Sequence, residues 1–113
     1  MSGLKAMNFP TITAFDAGAV AAAIVAGLAI DLSNVKSLLF LNRSDEVLWM
    51  ARTAATCVAG GKYAWPLEPE AAGFGSGGSL SMDVERVPTD AEFWVVSSGG
   101  AAKRLGIILG YGL

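Results

Sequence analysis

The stretch DAGAVAAAIVAGLAI, Asp16 to Ile30, carries no polar side chain after its aspartate. Whether it spans a membrane, covers a core or lies against a neighbouring subunit decides the fold of the chain around it. Length argues first. The fourteen residues from Ala17 to Ile30 would rise about 21 Å as a helix, against a hydrocarbon core of roughly 30 Å. Asp16 and Asp31 bracket the run, and no basic or aromatic belt flanks it, so a membrane span is disfavoured. Thr13 stands where a helix cap would, with Asp16 in the capping-box position. The good helix formers that follow predict one helix over Ala14–Ala29, interrupted by Gly18 and Gly27. Each glycine costs roughly 1 kcal/mol against alanine in a helix interior, which implies close approach on the face that carries it.

Projected at roughly 100° per residue, the run separates into two sides. Val20, Ile24, Leu28 and Val25 make a bulky side. Gly18, Ala19, Ala22, Ala23, Ala26 and Gly27 make a smooth one. The smooth side, Gly18/Ala22/Ala26, is expected within van der Waals distance of another backbone. The bulky side, Val20/Ile24/Leu28, is expected to cover apolar residues of the remaining chain or of a neighbour.

Beyond Asp31 the period changes. The runs 36–42 (KSLLFLN) and 47–52 (VLWMAR) flank the turn RSDE and predict a β-hairpin with its tip at Arg43-Ser44-Asp45. Residues 62–68 (KYAWPLE) read as a short strand, with Pro66, which lacks a ladder donor, at a sheet edge or a strand end. A glycine-rich loop covers 68–78. Residues 79–85 (SLSMDVE) alternate cleanly, with Leu80, Met82 and Val84 on one side. Residues 92–98 and 102–110 predict a second hairpin, turning at Gly99-Gly100. Six or so short strands with turns every eight to twelve residues predict a mainly β protein. The expected fold is a small antiparallel β-sandwich or barrel (34–113), preceded by an arm and the Ala/Gly-rich helix (1–33).

The central strands are apolar on both sides. Val47 and Trp49 share one face and Leu48 and Met50 the other; Phe93 and Trp94 point oppositely. A lone sandwich leaves the outer face of each sheet wet. The expected cover is either the 14–29 helix or another subunit. The composition agrees. The chain is 53% hydrophobic and 16% charged, where soluble domains run near 25% charged, so apolar area is expected to be buried against partners. Self-association follows as an expectation.

Catalytic chemistry finds little purchase. There is no histidine, so His-dependent triads and His metal sites are excluded. Cys57, the one cysteine, lies among small apolar residues and reads as buried and inert. Asp83 and Glu85 read as a solvated strand face, and GFGSGG lacks the lysine-serine and the helix of a phosphate loop. Asp45-Glu46 offers too few oxygens for calcium. No catalytic residue, cofactor or metal is expected. No basic run exists and the net charge is −2, so nucleic acid is not an expected partner.

The order of the β segments resembles the small β-sandwich accessory proteins of tailed bacteriophage virions. The matching pieces are Asn42-Arg43-Ser44-Asp45, Pro66-Leu67, Ser79–Glu85 and Ser97–Ala101, within about residues 35–110. The resemblance implies a non-enzymatic structural role in the virion: binding the major capsid protein or other virion proteins, in many copies, after synthesis in the host cytoplasm. A capsid decoration or cement subunit is the first expectation, and a head–tail connector or tail accessory the second. A glycan-binding sandwich using Trp49 and Trp94 is the alternative from another class. The expected interface residues are Gly18, Ala22, Ala26, Val20, Ile24, Leu28, Trp49 and Trp94.

Overall fold

The computed structural model describes residues 13–33, 35–69, 79–83, 88–99 and 102–111. Among these, eight strands and one helical turn follow in order: β1 (Thr13–Ala17), β2 (Ala22–Ala23), α1 (Ile24–Leu28), β3 (Val35–Asn42), β4 (Leu48–Ala51), β5 (Trp65–Leu67), β6 (Ser79–Asp83), β7 (Trp94–Ser97) and β8 (Lys103–Tyr111). The protein is mainly β, with two antiparallel four-stranded sheets ordered β1-β8-β3-β6 and β2-β7-β4-β5.

The topology has a simple origin. β1 pairs with β8, β2 with β7, β3 with β6 and β4 with β5. That is one long hairpin whose two arms are the halves of the chain. Rolling it up adds the closing pairs β3 with β8 and β4 with β7. The result is the eight-stranded jelly roll, two sheets with Greek-key connections.

Inward-facing residues of both sheets make one core. Leu38, Phe40, Leu105 and Ile107 come from the first sheet, Leu48, Met50 and Val95 from the second, and Phe93 from just ahead of β7. The rings of Phe40 and Phe93 meet across the layers at 5.1 Å, tilted by 51°, a geometry that adds about 0.5–1.5 kcal/mol beyond burial.

Two expectations are corrected here. The helix predicted over Ala14–Ala29 is realised only over Ile24–Leu28. Thr13–Ala17 is instead a strand, because Phe15 and Ala17 face the core and the segment pairs along β8 from Thr13↔Ile107 to Ala17↔Lys103. Tertiary pairing outweighs the few tenths of a kcal/mol per residue that alanine offers a helix. Gly27 does mark a close approach, to an aromatic ring: a Cβ there would lie 2.9 Å from Cε1 of Phe15.

The two predicted hairpins are also absent. β3 and β4 lie in different sheets, as do β7 and β8. Their links are corners that carry the chain from one layer to the other. No residue of 43–47 has a positive φ, which the tight hairpin turns require. Asn42, fully buried, directs the first crossing. Its amide donates to Glu46 O and to Leu67 O of β5, both at 2.8 Å, while its Oδ1 accepts the Ser44 N–H at 2.9 Å. The edge reading of Pro66 agrees with the sheet order, which places β5 last in its sheet. The arm over 1–12, the stretch Gly73–Gly78 and Glu85 lie outside the described residues.

Candidate functional site

The outer face of the second sheet carries an apolar row. Register sets Trp94 opposite Ala51 and Trp49 opposite Val96, so all four share that face. The link from β4 to β5, residues 52–64, folds over it. The link is stapled by turns: Cys57 N–H to Thr53 O at 3.1 Å, Thr53 Oγ1 to Thr56 Oγ1 at 2.6 Å, and Gly61 N–H to Val58 O at 2.7 Å. Cys57 and Ala64 then pack on Ala51 and Val96, with Trp49, Trp94 and Ala21 around them, as a second small core. The cover expected from a helix or another subunit is therefore supplied in cis by this link. The Cys57 thiol donates to Trp49 O at 3.4 Å, and burial pushes its pKa up to about 11. At neutral pH it is a thiol and a poor nucleophile.

Where the tip of the link meets the β1–β2 corner, a groove of about 450 Å³ opens. Its apolar lining is Ala19, Ala21, Cys57, Val58, Ala59 and Val96; Ser97, Ser98 and Gly99 complete it. Val20, between two lining alanines, is 80% exposed, and Val58 is 53% exposed. The β1–β2 corner is fixed against β7 by Ser97 N–H donating to Gly18 O at 2.8 Å.

The neighbouring corners are tied to each other. Arg43 N–H donates to Arg104 O at 3.0 Å, and Ser98 Oγ to Val47 O at 3.1 Å. Lys103 Nζ reaches Asp45 Oδ1 at 2.7 Å. The hydrogen bond from Lys103 holds the Asp45 carboxyl below the usual carboxylate range, and the same bond raises Lys103. A carboxylate also closes the other end of β2. Glu92 accepts the N–H groups of Val25 at 2.7 Å, Ala26 at 2.9 Å and Phe93 at 2.9 Å. It thereby satisfies the first donors of α1, which has no side-chain cap of its own.

The expected interface residues do not form one surface. Gly18 lies in the β1–β2 corner, Ala22 in β2 and Ala26 in α1, so the predicted smooth helix face does not exist. The bulky set divides too. Ile24 is in the core and Leu28 packs against it, while Val20 projects into solvent. Trp49 and Trp94 do share a face, both half-buried. Sequence reasoning missed Val58, Glu92 and the link as a cover; nothing in AATCVAGG marks it as a lid, since small residues suit turns and tight packing equally.

Among the described residues no group of three or more His, Cys, Asp or Glu could hold a metal ion. Among them, too, no helix is long and apolar enough to cross a membrane. What this end of the molecule offers chemically is a partly apolar groove with charged corners beside it, suited to contact by burial. No protein-family model, characterised protein or solved structure matches the chain.

Proposed function

We propose that this protein is a non-enzymatic structural subunit of a tailed-bacteriophage virion, a decoration or cement protein that binds the capsid lattice. A jelly roll hosts many functions, viral shell proteins and lectins among them, so the surface has to choose. The observation that carries the reading is the exposed apolar corner. Val20 stands 80% exposed on a corner tied to β7 by the bond from Ser97 N–H to Gly18 O. With the exposed Val58 and the groove alanines between them it makes a contiguous apolar patch, the kind of surface that marks contact with another protein. The order of the β segments, which resembles virion accessory proteins, supplies the partner class.

The glycan-binding reading asks Trp49 and Trp94 to stand clear as stacking platforms. Both are half-buried against Ala51, Cys57, Ala64 and Val96, which favours protein contact over sugar stacking. The test is a quantitative mass-spectrometric inventory of purified virions. Recovery in stoichiometric amounts with the shell, and rebinding of purified protein to stripped shells, is the expected result. Recovery only with tail or connector fractions would move the protein to that location. Absence from particles, or tryptophan quenching on a glycan array, would overturn the reading.

A further inference from the structure

We propose that Asn42 is an N-glycosylation acceptor in the unfolded chain and in no other state, so that glycan transfer and the jelly roll exclude each other. The proposal does not depend on the virion reading.

Asn42-Arg43-Ser44 has the acceptor pattern: asparagine, any residue but proline, then serine. In the transfer, Asn42 Nδ2 bonds to the anomeric carbon of an oligosaccharide carried on a lipid pyrophosphate. The bond from that carbon to the pyrophosphate oxygen breaks, and the lipid pyrophosphate leaves with the electron pair. One of the two Nδ2 protons passes to a base of the transferase. The step needs an accessible amide, a free hydroxyl two residues on, and room for a sugar. The folded protein offers none of these. Asn42 is fully buried, and its Nδ2 donates to Glu46 O and to Leu67 O, both at 2.8 Å. Ser44 Oγ is turned onto Asn42 Oδ1 at 2.7 Å. Such triplets ordinarily serve as acceptors on surface loops; this one is spent inside a sheet-to-sheet crossing.

Topology sets the order of events. β3 ends at Asn42 and is flanked by β6 and β8, with Asn42 itself opposite Leu105. Leu67 also follows it in the chain. A chain made from its N-terminus therefore leaves the triplet open until β8 has been added. Delivered unfolded to a compartment that holds the transferase, it is modified before the corner closes. The glycan is bulky and hydrated. It takes the place of one Nδ2 proton, strips a donor from Glu46 O or Leu67 O, and forces sugar into a dry site.

The test is cell-free translation of the full chain behind a cleavable secretion signal, with microsomal membranes, with and without an excess of a competing acceptor tripeptide. Without the competitor, a slower band that a glycan amidase removes should appear. That product should be digested by added protease at least about ten-fold faster than the unmodified chain made with the competitor. Purified folded protein given to the detergent-solubilised transferase and its lipid donor should stay unmodified. The same chain diluted into that mixture from urea should be modified. Modification of the folded protein overturns the proposal. So does a glycosylated product as resistant to protease as the unmodified one, or a urea-diluted chain that accepts no glycan.

Discussion

Asn42 engages both amide protons and its oxygen while fully buried. Replacing it with alanine removes the buried bond to Leu67 O and leaves Glu46 O to the Ser44 hydroxyl, which also donates to it at 3.1 Å. Such a buried loss costs about 1–3 kcal/mol, so Asn42→Ala should lower stability by that amount, read as the midpoint of urea unfolding. Asn42→Asp should be worse at neutral pH, since it turns an oxygen toward two carbonyl oxygens. Equal midpoints for Asn42→Ala and wild type would refute this account of the corner. The sequence made half of it legible. An asparagine two residues before a serine announces a local turn, and the turn is there. The partner on Leu67, twenty-five positions along the chain, is not announced, and that bond separates a sheet-to-sheet crossing from a hairpin tip.

At the scale of elements, α1 and β1 constrain each other through Gly27 and Phe15. Gly27→Ala in an isolated helix gains about 1 kcal/mol. Here the new methyl would lie 2.9 Å from the Phe15 ring, and overpacking of that kind costs about 1–3 kcal/mol. The substitution should therefore destabilise. In a Phe15→Leu background, with the ring gone, the same change should stabilise. A thermal-unfolding double-mutant cycle reads that change of sign; a Gly27→Ala protein stabilised in both backgrounds would show that the ring does not press on the turn. This is also where the opening stretch misleads. Alanine and glycine satisfy a helix pattern, but they equally suit an edge strand crowded by a neighbouring turn. Composition cannot separate these, because the deciding interaction, pairing with Lys103–Ile107, is made by the other end of the chain. Strands with strong local patterns, β3 over Val35–Asn42 and β8 over Lys103–Tyr111, were legible because leucine, isoleucine and phenylalanine mark them without reference to a partner.

For the whole molecule, each sheet draws two strands from each half of the chain. β1 and β3 join β6 and β8, while β2 and β4 join β5 and β7. Neither half can bury its inner face alone. Expressed separately as residues 1–58 and 59–113, the halves should be unfolded by circular dichroism and near-UV signal. Mixed together, they should regain the native spectrum, because the cut falls in the 52–64 link, outside every strand. A half that folds by itself would contradict the rolled-hairpin account. Such a topology postpones most of its reward until distant segments meet, so folding is expected in the slow range of all-β domains. The mainly β class could be read from turn spacing; whether it made a sandwich or a barrel could not. Which strand neighbours which could not, since a single chain records hydrophobic faces and leaves pairings unstated.

The two rims of the second sheet bring a last consequence. β2 is two residues long and runs straight into α1, while β5 is three residues with Pro66 at its middle. Neither offers a foreign strand a run of free N–H and C=O groups. Growth by strand addition is thereby shut off along one whole layer, and the exposed apolar groups at its end, Val20 and Val58, are side chains at corners, with less free backbone where fibres begin.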